Sequence, residues 1–262
     1  MDPAIDTAEH VVATTVAVHR IEGWCPTAEQ VDALTAIVRG ELRCEDYLAA
    51  YRDRHPPPRP QRRRLRFGRP APYLIPGTQV LRNEFGVTTA EVLADLEYAT
   101  SAARMVEWMC RPPDVAPLDV RNIHRHLFGG VYAWAGRYRT VELRRGKQSF
   151  GSVSAIADAM SALHDSAAQL AASDNTHSAA RLAYELARIY VDYNQIHPFR
   201  EGNGRAGALL LLGIASRCGR RLDLTRVDRA DWYAAAADSM PLRRDGRASH
   251  RPFLYLLIDA VR

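Results

Sequence analysis

The sequence has few cysteines and no long apolar run, and these absences exclude several classes of protein. Its 262 residues contain four scattered cysteines and no Cys-x-x-Cys pair. Such usage argues against a zinc site or a disulfide framework and is typical of free thiols in a reducing cytoplasm. No apolar run is long enough for a transmembrane helix, and residues 1–20 lack the basic start and apolar core of a secretory signal. We therefore expect a cytoplasmic protein that does not bind membranes.

Acidic residues are missing from one stretch, residues 54–69, which contains seven arginines. The net charge of the chain is +5, so subtracting these seven arginines leaves −2 for the remaining residues. The excess of positive charge therefore lies in this one stretch. The proline and arginine content favours a solvated, semi-rigid linker. Binding of nucleic acid is the less favoured reading, because no interleaving of aromatic and basic residues indicates base stacking. A DNA-binding regulator remains an alternative that rests on this stretch alone and lacks a recognition helix.

Helical periodicity dominates the remainder of the chain. Apolar residues recur every three or four positions, as at Leu182, Leu186 and Tyr190. Residues 138–144 alternate instead, and the turn-like residues 145–148 follow, which predicts a short β-hairpin. We expect an all-α (mainly helical) fold with one hairpin.

The composition divides the chain into three parts. Residues 1–53 form a small helical module that is too small to hold a large core alone and is expected to pack on the rest. Residues 54–72 form the linker, and residues 73–262 form the main domain.

The nonapeptide 197–205, His-Pro-Phe-Arg-Glu-Gly-Asn-Gly-Arg, lies between two predicted helices. Gly202 and Gly204 permit positive φ angles and a close approach of the backbone to a ligand. The unpaired N–H groups that open the next helix form an anion site together with the helix dipole. Arg205 adds a permanent positive charge. This segment, with Asn203 between the glycines, predicts a phosphate cradle.

Two further side chains of the nonapeptide suit phosphate chemistry, which needs a cradle, a metal ligand and a base. Glu201 can give an oxygen to Mg²⁺, which usually takes one or two carboxylates plus phosphate oxygens. His197 can accept a proton near neutral pH. His124 and His126 lie two positions apart on a predicted helix and so on different faces, and we interpret both as structural.

At these residues the sequence resembles the Fic family, whose signature reads His-x-Phe-x-(Asp/Glu)-Gly-Asn-Gly-Arg-x-x-Arg. Residues 197–205 match every fixed position, but the final arginine falls on Ala208. The resemblance implies a Fic fold and a protein adenylyltransferase, which moves AMP from ATP, with Mg²⁺, to a hydroxyl side chain of a target protein. It assigns the base to His197, the metal ligand to Glu201, and nucleotide binding to the following residues: Gly202, Asn203, Gly204 and Arg205.

The predicted hairpin corresponds to the flap of Fic proteins, which pairs backbone to backbone with a segment of the target. Arg145 and Gly146 fall where family members contact the nucleotide. Bacterial toxins of this architecture modify a type II topoisomerase subunit, so the resemblance implies such a subunit as the target.

The N-terminal module resembles small antitoxins that inhibit Fic enzymes through the motif (Ser/Thr)-x-x-x-Glu-(Gly/Asn). Glu22 and Gly23 match this motif, but Val18 replaces the hydroxyl residue. In the family the inhibitory glutamate pairs with the second arginine of the signature, which is Ala208 here. The resemblance therefore implies a fused toxin–antitoxin in which Glu22 either turns to Arg205 or no longer inhibits.

Because of Ala208, three alternatives for the activity remain open. The first is a slower adenylyltransferase, and the second is an enzyme with another phosphate donor, as in relatives that transfer a γ-phosphate or phosphocholine. The third is a non-catalytic protein that binds nucleotide or a partner. His197, Glu201 and the Gly-Asn-Gly turn favour an enzyme.

Overall fold

The computed structural model describes residues 8–54, 56, 72–146, 148–173, 177–241 and 246–262. Within these ranges the chain forms ten α-helices, one two-stranded sheet and a single 3₁₀ turn. The elements are α1 (Ala8–Ile21), α2 (Ala28–Val38), α3 (Cys44–Arg54), α4 (Ala90–Met109), α5 (Val120–Phe128), β1 (Arg144–Arg145), β2 (Gln148–Ser149), the 3₁₀ turn (Val153–Ala155), α6 (Ile156–Ala172), α7 (Ala179–Ile196), α8 (Asn203–Arg217), α9 (Arg229–Asp238) and α10 (Arg251–Leu257). The predicted helical fold with one hairpin is confirmed.

Local sequence features set several helix boundaries. Thr27 and Gln30 form a reciprocal capping box at the start of α2, as the sequence predicts. Asp228 caps α9, where its side chain accepts the N–H of Ala230. Gly23, with φ 103°, reverses the chain directly after α1, which confirms the predicted break there.

The hairpin is shorter than predicted. Strand β1 pairs antiparallel with β2 around the predicted turn. Beyond the paired strands, the N–H of Phe150 still donates to the carbonyl of Leu143 at 3.2 Å, but residues closer to position 138 bond outside the hairpin. The N–H of Arg139 donates to the carbonyl of Pro198 at 2.8 Å, and that of Thr140 donates to the hydroxyl of Tyr73 at 3.0 Å. Within the alternating segment 138–144, only Arg144 is therefore part of a strand.

Helix α8 lies at the centre of the main domain. Its Leu209, Leu210 and Leu211 are at most 1% exposed, and α5, α6 and α7 pack around it. The apolar run that predicts a buried helix after the nonapeptide is thus confirmed.

Helices α1, α2 and α3 pack against α4, and α1 also contacts α8 and α9. Their buried residues, including Leu34 and Tyr47, belong to the same hydrophobic cluster as the core of the main domain. The expected packing of the N-terminal helices on the rest is confirmed. The boundaries 1–53, 54–72 and 73–262 stay a prediction, and most of the arginine-rich stretch lies outside the described residues.

All four cysteines are unpaired, and two of them, Cys44 and Cys218, are buried. In the part of the chain that the structure describes, every helix is too short or too polar to span a lipid bilayer.

Two histidines are fully buried in this core. His19 Nδ1 donates to the carbonyl of Thr15 at 2.8 Å, and its Nε2 lies 2.9 Å from the hydroxyl of Ser101. Burial, followed by the charge of Arg205, lowers the pKa of His19 to about 3. Burial is also the main cause that lowers the pKa of His124 to about 3. Both rings are therefore neutral at physiological pH.

These two histidines predict a loss of stability in acid. Their pKa values are lower in the folded than in the unfolded chain, so the unfolded chain binds protons first as the pH falls below about 6.5. We expect the free energy of unfolding to fall by about 1.4 kcal/mol per pH unit for each histidine between pH 6.5 and pH 4. Urea unfolding at a series of pH values measures this slope. His19→Gln should make this slope shallower by about 1.4 kcal/mol per pH unit. His164→Gln, at an exposed position, serves as the control and should leave the slope unchanged. An unchanged slope in His19→Gln would contradict the assignment.

Candidate active site

The turn between α7 and α8 carries the predicted catalytic residues. Helix α7 ends at Ile196, and His197 adopts the left-handed conformation with φ 49°. The side chain of Asn203 closes the turn, because its Oδ1 accepts the N–H of Phe199 and its Nδ2 donates to the carbonyl of Phe199, both at 2.9 Å. Gly202, with φ 79°, precedes the first residue of α8. The predicted helix–loop–helix joint is confirmed.

A cavity of about 170 Å³ opens above this turn. Its wall is formed by the turn after α1, the hairpin, the last two turns of α7, the α7–α8 turn, the start of α8 and α9. The lining residues are Glu22, Arg145, Tyr190, Tyr193, Asn194, His197, Arg200, Glu201, Asn203, Gly204, Trp232, Tyr233 and Ala236. The structure thus brings together six of the predicted site residues from both ends of the chain.

Four other predicted residues, Gly23, Gly146, Gly202 and Arg205, are not among the lining residues. At Gly202 the absence of a side chain serves packing, because a Cβ there would lie 2.5 Å from the ring of Phe128.

His197 is half-buried and its ring stacks on Phe150, with 3.8 Å between ring centroids. Burial, followed by the charges of Arg145 and Arg139, lowers the pKa of His197 to about 3, while the carbonyl of Asn194 acts in the opposite direction. Nδ1 is buried and makes no hydrogen bond within the described residues. The ring is therefore a neutral base at the edge of the cavity.

Glu201 projects into the same cavity, and its Oε1 accepts the N–H of Gly202 at 3.0 Å. Burial, followed by the charge of Glu97, raises the pKa of its carboxyl group, and Arg205 opposes this effect. No group of three or more potential metal ligands occurs within the described residues. Glu201 and Glu22 are the two carboxylates that line the cavity, and Mg²⁺ would fit there only where phosphate oxygens complete its coordination.

His124 supports the turn from below. Its Nδ1 accepts the N–H of Gly136 at 3.0 Å, so the proton is on Nε2, which donates to the carbonyl of Glu201 at 2.9 Å. The ring also packs on Phe199, with 3.9 Å between centroids. His124 therefore has a structural role, as predicted, and it also positions Glu201. The spacing of His124 along its helix did not indicate this second role.

Arg205 differs from its predicted role at the nucleotide. The side chain is 2% exposed and points into the core, where it pairs with Glu97 and donates to the hydroxyl of Ser101 at 2.9 Å. The guanidinium lies between the rings of Tyr98 and Phe128, at 4.9 and 4.7 Å from their centroids. No sequence pattern indicated Glu97 or Ser101 as partners, because both are more than 100 residues away.

Glu22 reaches the cavity from the turn after α1. The hydroxyl of Tyr98 donates to the carbonyl of Glu22 at 2.8 Å, and Trp24 stacks on the same ring. The carboxylate lies at the start of α8, where a Cβ added to Gly204 would be 1.9 Å from Oε1. Tyr233 approaches the other carboxylate oxygen at 3.4 Å. The side chain therefore lies against the first turn of α8, next to the helix N-terminus.

The two positions that depart from the family pattern are both buried. Val18 is 2% exposed on α1, and Ala208 is 3% exposed, one turn after Gly204 on α8. Within the described residues no ion pair joins Glu22 to Arg205, whose guanidinium is bound to Glu97. The expectation that Glu22 turns to Arg205 is therefore wrong.

Comparison with known proteins gives a consistent result. The model of the Fic/DOC family matches residues 114–215. The probable protein adenylyltransferase y4lH of Sinorhizobium fredii is 33% identical over 163 residues, which cover 60% of this chain and 81% of that protein. The probable protein adenylyltransferase Fic of Escherichia coli is 27% identical over 164 residues, which cover 63% and 82% of the two chains.

Two solved structures share the fold. The BepC protein of Bartonella tribocorum, determined with bound AMPPNP, aligns with 72% of this chain and 96% of its own at a TM-score of 0.61 and 21% identity. A Fic domain-containing signaling protein of Bacteroides thetaiotaomicron aligns with 97% of this chain and 84% of its own, at a TM-score of 0.61 and 16% identity. The second alignment is long enough to include the N-terminal helices.

The buried pair of Glu97 and Arg205 predicts a large effect on stability. Glu97→Ala should lower the free energy of unfolding by about 3–5 kcal/mol, because it leaves a buried guanidinium without its counter-charge. Equilibrium urea unfolding measures the change. Glu107→Ala on the same helix should cost less than about 1 kcal/mol, since its contacts with Arg104 and His126 are partly exposed. Similar losses of unfolding free energy in the two variants would contradict the prediction that the buried Glu97–Arg205 pair contributes more than the partly exposed one.

Proposed function

The chain belongs to the Fic/DOC family, and from this premise we propose that it transfers AMP from ATP to a hydroxyl group of a target protein and releases pyrophosphate. One observation supports this function above the others. A neutral histidine, His197, shares a small cavity with the N-terminus of α8 and with the flap residue Arg145. Base, anion site and flap are the parts that such a transfer needs.

The polar groups of the cavity suit a nucleotide. Three of its residues have a buried polar atom without a hydrogen-bond partner among the described residues: Nδ1 of His197, Nη1 of Arg145 and the hydroxyl of Tyr193. Buried polar groups are normally paired, so a polar ligand would satisfy them. Related Fic domains were solved with AMPPNP in Bartonella tribocorum and with ADP in Bartonella quintana, which supports ATP as the donor here.

The phosphates are proposed to bind over Gly202, Asn203 and Gly204, where N–H groups and the dipole of α8 attract negative charge. Arg145 lies over the rings of Phe150 and Tyr233, at 5.4 and 5.6 Å, so its guanidinium is oriented at the cavity edge. Glu201 would hold Mg²⁺ together with phosphate oxygens, and the bound ion would neutralise part of the charge that develops during transfer.

The proposed reaction uses His197 as the general base. The target hydroxyl gives its proton to the imidazole, its oxygen forms a bond to the α-phosphorus, and the bond to pyrophosphate breaks. A segment of the target would add to the hairpin by β-augmentation, which would orient the hydroxyl. The type II topoisomerase subunit implied by the family resemblance stays a prediction.

We also propose that Glu22 keeps the enzyme inactive, in the manner of a fused toxin–antitoxin. Its carboxylate lies against Gly204, where the phosphates would bind, so the two negative groups compete for one anion site. The proposed competition does not require an ion pair with residue 208, which is an alanine. The carboxylate of Glu22 would then inhibit by occupying the phosphate site and by repelling the phosphates, and not by forming an ion pair with an arginine.

Ala208 supports a second candidate, an enzyme with altered donor use or a nucleotide-binding protein with little activity. The position is buried and outside the cavity lining, so it supplies no cation to a terminal phosphate. A label on the γ-phosphate distinguishes transfer of phosphate from transfer of AMP.

Transfer of label from α-labelled ATP to protein in a bacterial lysate tests both proposals. Glu22→Gly should increase the labelling at least about tenfold over the intact chain, which corresponds to about 1.4 kcal/mol of lost inhibition. Glu41→Gly is the matched control, because Glu41 is exposed in the turn after α2 and should leave labelling unchanged.

His197→Ala in the Glu22→Gly background should lower the labelling by about 10²–10⁴-fold, which is the range for loss of a general base. Labelling that survives this change would refute the base assignment. Equal labelling of the intact chain and Glu22→Gly would refute the inhibition, and label from γ-labelled ATP alone would favour the altered donor.

A further inference from the structure

We propose that Arg139 is a positioning residue that ties the flap, residues 141–151, to the turn that carries His197. The catalytic consequence rests on the proposed function, but the connection itself is a property of the fold. Neither the motif nor the hairpin pattern pointed to this residue.

The side chain of Arg139 is 1% exposed and donates to backbone carbonyls on both sides of the site. Nε donates to the carbonyl of His197 at 2.8 Å, and Nη2 donates to that of Ile196 at 3.2 Å. Nη1 donates to the carbonyl of Val141 at 2.7 Å, and Nη2 also donates to that of Gly151 at 2.5 Å. One guanidinium therefore joins the two ends of the flap to the last turn of α7.

The backbone continues the same connection. The N–H of Arg139 donates to the carbonyl of Pro198, and the N–H of Gly151 donates to that of Gln195, both at 2.8 Å. Four consecutive carbonyls, from residue 195 to residue 198, thus bond to Arg139 or to the flap. The last carbonyls of a helix have no partner within it, and a cation at that end is also favoured by the helix dipole.

The turn needs such support because His197 is the only residue other than glycine with a positive φ in the described part of the chain. A side chain in the left-handed region is strained and persists only when its surroundings fix it. The bond from Nε of Arg139 to the carbonyl of His197 fixes the peptide that follows the strained residue. Its loss would free the imidazole to reorient relative to the flap.

Only arginine can make this set of bonds. The guanidinium has five donors in a planar fork, whereas the lysine ammonium has three on a flexible stem. The carboxylate of Glu142 lies 3.8 Å from Nη1 and is half exposed, whereas four backbone carbonyls accept hydrogen bonds from the guanidinium. Lysine at position 139 would keep the charge and lose the simultaneous contacts.

The test compares Arg139→Lys and Arg139→Gln in the full chain that carries Glu22→Gly. We expect kcat for AMP transfer to fall by about 100-fold, as for a displaced catalytic group, while KM for ATP changes less than about threefold.

Arg121→Lys is the matched control and should leave kcat unchanged, because Arg121 is exposed and donates to one carbonyl, that of Gly136. A role in stability alone would lower the melting temperature and leave kcat at low temperature intact, which would overturn the proposal.

Amide hydrogen exchange gives a readout that does not need activity. In both Arg139 variants the amides of residues 144–146 and 148–151 and those of His197 and Phe199 should lose protection together, while those of α8 keep it. Loss of protection in the flap alone, or in neither segment, would overturn the connection. Absence of transfer in every form, the parent included, would refute the proposed function, and hydrogen exchange would still decide on the role of Arg139.

Discussion

The architecture depends on one buried charge, the guanidinium of Arg205. Removing such a group from water costs several kcal/mol unless a counter-charge and hydrogen bonds replace the lost hydration. Glu97 and Ser101 provide both, and each belongs to α4. The first turn of α8 must therefore lie against α4, so a contact within the core holds the segment that we propose as the phosphate site.

The same contact places the N-terminal helices. Ser101, which accepts from Arg205, also bonds to His19 of α1, and Tyr98, whose ring faces the guanidinium, donates to the carbonyl of Glu22. The end of α1 and the start of α8 are thus held by neighbouring residues of one helix. The position of Glu22 over Gly204 follows from this shared support and needs no partner at residue 208.

The sequence was sufficient wherever the determining contacts are local. The capping box at Thr27, the break at Gly23 and the glycine turn before α8 each depend on residues a few positions apart, and the structure has all three. The hairpin length was wrong because Arg139 bonds to the α7–α8 turn and Thr140 bonds to Tyr73, and an alternating pattern does not reveal these distant partners. The destination of Arg205 was missed for the same reason, since Glu97 lies 108 positions away and nothing in its spacing marks it as buried. The role of Arg139 was also missed, because the backbone carbonyls that accept its hydrogen bonds come together only in the folded chain.

The low pKa of His197 connects this architecture to catalysis. Besides burial, its causes are the positive charges of Arg145 and Arg139, and only the first of these lines the cavity. A histidine with a pKa near 3 is unprotonated at neutral pH but is a weak base. An anionic nucleotide beside Arg145 would offset the charge of that residue, so the pKa of His197 would rise toward the range in which an imidazole accepts protons well. The carboxylate of Glu22 lies at the start of α8 and offers no phosphorus atom to a nucleophile. In the proposed reaction the imidazole would therefore gain basicity as the nucleotide binds, while Arg139, whose guanidinium donates to four backbone carbonyls, would keep the imidazole in position.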